Sequence, residues 1–166
     1  VTLLEGPVTN PLRADKKIKV LKFNFYDEFL KIIKNELKKK YDIVIHAAAV
    51  SDYKLKKTFG TKISSKLKQL NLNLVPTEKI IDKIKKIAPR IFLVGFKLEA
   101  SINKKSTLKK VEGLFKDSKC DLVIANSIKN DNYFGYIIDK KLNFINGSKT
   151  RAGIIQALIN IISSQI

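Results

Sequence analysis

DIVIHAAAVSDY, residues 42–53, decides how this chain folds. Ile43, Val44 and Ile45 follow one another without a polar residue between them. Such a run needs cover on both faces, as a central parallel strand has. Residues 42–48 therefore read as a buried strand. Small alanines and then Ser51 and Asp52 end it. In an open parallel sheet the ligand sits beyond the carboxyl ends of the strands. Alanines there let a flat base or a ribose approach the backbone, and Asp52 can bind a hydroxyl or a metal.

Outward from this strand, strand and helix patterns alternate. Residues 1–5 and 18–23 read as strands, the first ended by Gly6-Pro7. Residues 26–40 read as a helix, with Phe29, Leu30, Ile33 and Leu37 at helical spacing and lysines opposite. Ser51 to Lys68 is polar, lysine-rich and without period, the mark of a long lid or binding loop. Residues 69–75 alternate, with Leu70, Leu72 and Leu74 on one face, and predict a half-exposed strand in an antiparallel ribbon. Thr77 is expected to cap a helix over 78–88 that buries Ile80, Ile81, Ile84 and Ile87.

Beyond it come a strand at 91–96 and a helix at 104–117 using Leu108, Val111, Leu114 and Phe115. A strand follows at 121–125, then a hairpin over 133–146 turning near Asp139-Lys140-Lys141. A last helix over 151–163 is expected to bury Ile154, Ile155, Leu158 and Ile162. The expected fold class is α/β: a mostly parallel sheet with helices on both faces plus an antiparallel ribbon and hairpin. Its 166 residues suit one domain, 1–166.

The net charge of +18 invites a nucleic-acid reading. Against it, only Arg13, Arg90 and Arg151 are arginines, the residue that supplies most base and phosphate forks. The lysines are spread along the whole chain. No apolar stretch approaches the roughly 18–20 residues of a membrane helix. No secretion leader is legible, and the single cysteine excludes an internal disulfide framework. A cytoplasmic protein without nucleic-acid or membrane partners is expected.

Three strand ends carry polar or small residues: His46 to Tyr53, Gly95 to Glu99, and Ala125-Asn126-Ser127. Together they point to a small-molecule site. The glycines at 6, 60, 95, 113, 135, 147 and 153 form neither a dinucleotide fingerprint nor a P-loop. Any phosphate must then be met by lysines. His46 reads as a packed residue at the end of a strand in preference to a catalytic base. Cys120 reads as a small hydrophobe, and no Cys/His cluster suggests zinc.

In order and spacing, the segments Ala48-Ala49-Val50-Ser51-Asp52-Tyr53, Lys62-Ile63-Ser64-Ser65, LNLNLVPTEKII (70–81), Val94 to Glu99 and Asp121 to Asn126 resemble the phosphopantothenate–cysteine ligase family in its bacterial and archaeal forms. Many of these carry the ligase behind a flavin-dependent phosphopantothenoylcysteine decarboxylase. The resemblance implies a Rossmann-like fold and a homodimer in which an antiparallel ribbon takes part. It also implies a reaction. The carboxylate of 4′-phosphopantothenate attacks the α-phosphate of CTP, and the amine of L-cysteine displaces CMP from the acyl-cytidylate. Mg²⁺ assists, and FMN enters only where a decarboxylase is fused upstream.

By motif position, Lys62 resembles the family lysine that supports charge at the reacting phosphorus. His46, Ala47, Ala48 and Asp52 fall on nucleotide-binding positions. Glu78, Lys79, Ile80 and Ile81 match the segment that recognises the base, largely through main chain. Phe96 matches the aromatic beside the nucleotide, and Asn126 falls in the family's Ala-Asn motif as a substrate-site candidate. The residues holding metal are not legible. Many members carry Lys-x-Lys-Lys where this chain has Lys62-Ile63-Ser64-Ser65, and Lys110, Lys116 and Lys119 are the candidates on the helix before Asp121. The family's first strand and the helix after it have no counterpart in the sequence, so activity of this segment alone is not expected. The resemblance favours CTP, while the residues themselves leave CTP and ATP open, since main-chain contacts to the base leave no mark in side chains. Two rivals remain: a nucleotide-binding oxidoreductase of the same fold, and a basic nucleic-acid-binding module.

Overall fold

The computed structural model describes residues 1–11 and 16–165. Strand β1 (Thr2–Glu5) pairs in parallel with β2 (Lys19–Lys22), Leu3 facing Val20. Helix α1 (Tyr26–Glu36) follows. Its amino end is closed by the Glu28 carboxylate, which accepts from the N–H of Asn24 at 2.8 Å and of Phe25 at 3.4 Å. The helix ends earlier than its pattern predicts. Glu36 there takes the Lys39 ammonium and the Tyr41 hydroxyl, and the Lys39 N–H returns to the Glu36 carbonyl at 2.8 Å.

Strand β3 (Ile43–His46) opens a second sheet, of order β3-β6-β7-β8-β9. Its other members are β6 (Phe92–Glu99), β7 (Leu122–Lys129), β8 (Asn132–Asp139) and β9 (Phe144–Ser148). β3, β6 and β7 run parallel, and β8 and β9 add antiparallel strands. β6 and β7 run past their expected ends because they pair as far as Glu99 and Ser127, where the polar side chains are carried on an unbroken ladder. A two-residue turn joins β7 to β8. Asn130 and Asp131 both have left-handed φ (48° and 61°), which such a turn needs and which these residue types tolerate.

Alternate residues of the sheet fill two cores. Leu93, Val123, Ala125 and Ile138 meet α1, α2 (Ile81–Ile87) and α3 (Lys104–Lys116). Val94, Leu122, Ile124 and Ile137 meet α4 (Arg151–Ser163). Among the described residues, helices therefore cover both faces, three on one and one on the other. α4 buries Ile154 and Leu158, but Ile155 is 55% exposed. With one helix on that face, only the i, i+4 stripe finds cover. No helix among the described residues is long and apolar enough to cross a membrane.

Four local expectations are corrected. β3 is the edge of its sheet among the described residues rather than a central strand, and Ile45 is 48% exposed. Ile87, at the end of α2, is 37% exposed rather than buried. The loop after Ser51 contains a strand, β4 (Tyr53–Leu55), paired antiparallel with β5 (Leu74–Pro76). The ribbon is thus present, but its second strand begins five residues after the alternation starts. α2 starts at Ile81 rather than Glu78, because Thr77 is bonded elsewhere and caps nothing.

Candidate functional site

The parallel pairing of β3, β6 and β7 aligns the three strand ends singled out in the sequence. His46 stands opposite Gly95, Lys97 opposite Ala125, and Leu98 opposite Asn126. Gly95 is required by close approach. A Cβ there would lie 2.9 Å from Cys120 Sγ and 3.3 Å from Ile81 Cδ1. Its bare backbone lets α2 lie against β6 and brings Ile80 and Ile81 up to the strand end.

His46 lies against Phe29, ring centroids 6.2 Å apart. Its Nε2 is buried and has no hydrogen-bond partner among the described residues, and burial pushes the imidazole pKa down. This is a neutral packed histidine by its surroundings. Ala47, Ala48 and Ala49 follow it with their surfaces open.

Thr77 ties this stretch to the next. Its N–H donates to the Asp52 carbonyl at 2.9 Å and its hydroxyl to the Ser51 carbonyl at 2.6 Å. One residue on, the Glu78 carbonyl accepts from the Tyr26 hydroxyl at 2.7 Å. The Glu78 carboxylate pairs with Lys83 at 2.9 Å, which holds its pKa below the usual range. Among the described residues, the N–H groups of Lys79, Ile80 and Ile81 make no hydrogen bond. The segment 78–81 therefore offers main chain, with the Ile80 and Ile81 side chains buried beneath it and Lys79 exposed.

The structure thus gathers His46, Ala47, Ala48, Asp52 and Glu78 to Ile81 around one strand end. Phe96 stands on the next strand but on the other face, packed against the core under α4. Asn126 is half-buried on the third strand. Lys62 sits in the exposed lid between β4 and β5 and makes no interaction among the described residues. Of the three lysine candidates, only Lys110 reaches the carboxyl ends, where it pairs with Glu99 at 2.6 Å. The Lys110 ammonium holds Glu99 below the usual carboxylate range. α3 runs back along the strands, so Lys116 and Lys119 lie at the other end of the sheet, before β7.

Tyr26 escaped the sequence reading, as did the bonds that Thr77 makes to the β3 exit and the pairing of Lys110 with Glu99. Each links segments distant in sequence, and nothing in local spacing marks such a partner.

A bound Mg²⁺ keeps several waters and takes one or two carboxylates plus substrate phosphates. Asp52 fits that pattern. It is exposed beside the β3 exit and its carboxylate has no partner among the described residues.

Residues 1–153 match the family described as DNA/pantothenate metabolism flavoprotein C-terminal domain. The chain is 39% identical over 130 residues to the coenzyme A biosynthesis bifunctional protein CoaBC of Thermococcus kodakarensis, covering 78% of this chain and 31% of that protein. It is 35% identical over 152 residues to the protein of the same name from Borreliella burgdorferi, covering 85% and 36%. The chain thus spans about a third of the length of the curated relatives it matches. Among solved structures it resembles the DNA/pantothenate metabolism flavoprotein of Streptococcus pneumoniae, with TM-score 0.86, 22% identity, and 99% of this chain and 81% of that one covered. It also resembles a Cab2 mutant in complex with phosphopantothenate-cysteine, with TM-score 0.66, 23% identity, and 90% and 53% covered. These two show the fold. With the match running through nearly every element from β1 to the start of α4, the chain belongs to the DNA/pantothenate metabolism flavoprotein C-terminal domain family.

Proposed function

We propose that this chain is the nucleotide-binding part of a phosphopantothenate–cysteine ligase acting in coenzyme A synthesis. The observation that carries the reading is the Thr77 junction. It fixes the strand exit Ala47 to Asp52 against the open main chain of Glu78 to Ile81. A base can be read by that main chain while its ribose lies on the alanines. The family match, and the names of relatives in coenzyme A biosynthesis, support the substrate class.

The chemistry needs no nucleophilic side chain. A carboxylate is a poor acyl donor, and transfer of a cytidylyl group to it from CTP makes it a good one. The carboxylate oxygen of 4′-phosphopantothenate forms a bond to the α-phosphorus, and pyrophosphate leaves. The amine of L-cysteine then attacks the acyl carbon, loses a proton, and expels CMP. Catalysis in both steps is positioning and stabilisation of charge on phosphate. Lys62, exposed in the lid, is the residue proposed to close over the triphosphate as a mobile point charge. Phe96 is proposed beside the nucleotide and Asn126 in the substrate site. Mg²⁺, when bound, screens the triphosphate charge, and Asp52 is the carboxylate that would hold it.

The domain is proposed to be one unit over 1–166 that works with the strand and helix its family places first. We further propose a cytoplasmic homodimer built on the β4–β5 ribbon. That region exposes Tyr53, Phe59, Leu67, Leu70, Leu72 and Leu74, a clustering of apolar side chains of the kind that marks interaction surfaces. An FMN requirement would come only with a fused decarboxylase.

The test is product formation by the full natural protein from 4′-phosphopantothenate, L-cysteine and CTP, with ATP and NADH compared in a thermal-shift assay. A nucleotide at about 100 times its Kd adds about 2.7 kcal/mol of stability. Phosphopantothenoylcysteine made with CTP, and a shift with CTP but not NADH, is the expected result. A shift with NADH alone would favour an oxidoreductase and overturn the reading.

A further inference from the structure

The Tyr26 hydroxyl crosses from the first turn of α1 to the main chain of the proposed base-reading segment. It donates to the Glu78 carbonyl at 2.7 Å. Because a peptide unit is planar, fixing that carbonyl also fixes the direction of the Lys79 N–H. The Glu78 side chain is not involved, since its carboxylate pairs with Lys83. Tyr26 is itself held. Its ring is half-buried against the core under α1, and the Lys54 ammonium stands 5.4 Å from its centroid. The same ammonium pairs with Asp27 at 3.0 Å. Lys54 belongs to β4, the strand from which the lid departs.

We propose that Tyr26 is a positioning residue for nucleotide recognition: it orients the Glu78–Lys79 peptide, and Lys54 couples that peptide to the base of the lid. The inference rests on the ligase reading above and deepens it. Side chains outside the base pocket would then set nucleotide affinity. Thr77 holds the segment from the strand side, and Tyr26 holds it from the helix side. Removing one support frees the peptide to rotate without dismantling the pocket. The cost falls on the nucleotide, whose base is read by that peptide, and not on the cysteine amine.

The experiment is steady-state kinetics of the full natural protein with CTP, 4′-phosphopantothenate and L-cysteine varied in turn. Tyr26→Phe keeps the ring and removes the hydroxyl. The expected result is a rise of roughly tenfold in KM for CTP, the scale of one lost hydrogen bond. kcat and the KM for L-cysteine should stay within about twofold, as expected when uniform binding is lost. Lys54→Gln should raise the KM for CTP by about threefold, the scale of one partly exposed cation–π contact, and Lys54→Arg should restore it. An unchanged KM for CTP in Tyr26→Phe would overturn the proposal. So would a parallel rise in all three KM values, which marks a general loosening. Lys54→Gln with a wild-type KM for CTP would overturn the coupling even if Tyr26→Phe did not fold. Wild-type protein that makes no product with CTP would instead overturn the ligase reading, a result visible before any variant is made.

Discussion

The Thr77 hydroxyl donates to the Ser51 carbonyl oxygen at 2.6 Å, joining two segments 26 residues apart. The bond gives the threonine a role in the site and takes it away from the helix it was expected to cap. Thr77→Val keeps the shape and removes the donor. Its loss should cost about 1 kcal/mol in denaturant unfolding and weaken CTP binding several-fold. A titration of CTP against fluorescence or melting temperature measures the second effect, and an unaltered Kd would remove Thr77 from the site.

Asp121 anchors the opposite end of the sheet. Its carboxylate accepts from the Leu93 N–H at 2.7 Å, pairs with Lys85 at 2.7 Å, and also meets Lys140. Burial alone would raise its pKa, but these donors outweigh it and hold the carboxyl below its ordinary value. Glu36 is pulled to about 2, chiefly by hydrogen bonds from Lys39 and then Tyr41, despite its burial. Both folded pKa values are depressed, so both contributions are complete above the unfolded values near 4. They are lost as pH falls from there towards 2. The carboxylate part of the urea midpoint, measured at pH 7, 5, 4 and 3, should hold steady to about pH 5 and then drop. Asp121→Asn should cost about 2–3 kcal/mol at neutral pH and flatten the acid limb.

His46 adds a separate window. Its folded pKa is depressed by burial, while the unfolded chain protonates near 6.5. The unfolded state therefore binds the extra proton, and stability is full above pH 6.5 and declines below it. His46→Phe should remove the decline between about pH 6.5 and 5 while leaving the carboxylate limb intact. A slope unchanged by the substitution would show that the imidazole titrates normally.

The sequence pattern made most of this fold legible, and the exceptions have a common cause. Where a side-chain face decides an element, as with Phe29, Ile33 and Leu37 or Ile154 and Leu158, the spacing located it. Ile155 failed because the periodicity could not say that α4 would be alone on its face. The boundaries that moved did so through bonds that periodicity does not mark: Thr77 to Ser51 across 26 residues, Tyr41 to Glu36 just past the end of α1, and the ladder that pairs Glu99 with Ser127. For the site, the strand ends at His46, Gly95 and Asn126 were marked by composition. Tyr26 lies on an ordinary amphipathic helix, and its hydroxyl finds its partner 52 residues on, at the Glu78 carbonyl before α2.

Gly95 and Cys120 are coupled through packing. The thiol is 1% exposed, and burial with the neighbouring Asp121 charge pushes its pKa up to about 12. It should resist alkylation at pH 8 in the folded protein and react on unfolding. Gly95→Ala would drive a methyl group to 2.9 Å from the sulfur and should cost about 1–3 kcal/mol. Combining it with Cys120→Ala removes the sulfur, so the two costs should be less than additive. A strictly additive double variant would place the strain of Gly95→Ala elsewhere, at Ile81.

Lys62 is the sharpest test of the proposed chemistry because the fold does not use it. It is exposed and makes no bond among the described residues, so Lys62→Ala should leave the melting temperature unchanged. If its ammonium meets the charge that develops on phosphate, pyrophosphate release should fall by about 10²–10³-fold, the loss typical of one preorganised charge donor. The fall should appear in kcat more than in the KM for CTP, since an ammonium placed against charge that develops during transfer binds the transition state more tightly than the ground state. Lys62→Arg keeps the charge but replaces a compact ammonium with a planar fork, so partial recovery would separate charge from shape. Wild-type pyrophosphate release by Lys62→Ala would remove the residue from catalysis and leave the lid without an assigned donor.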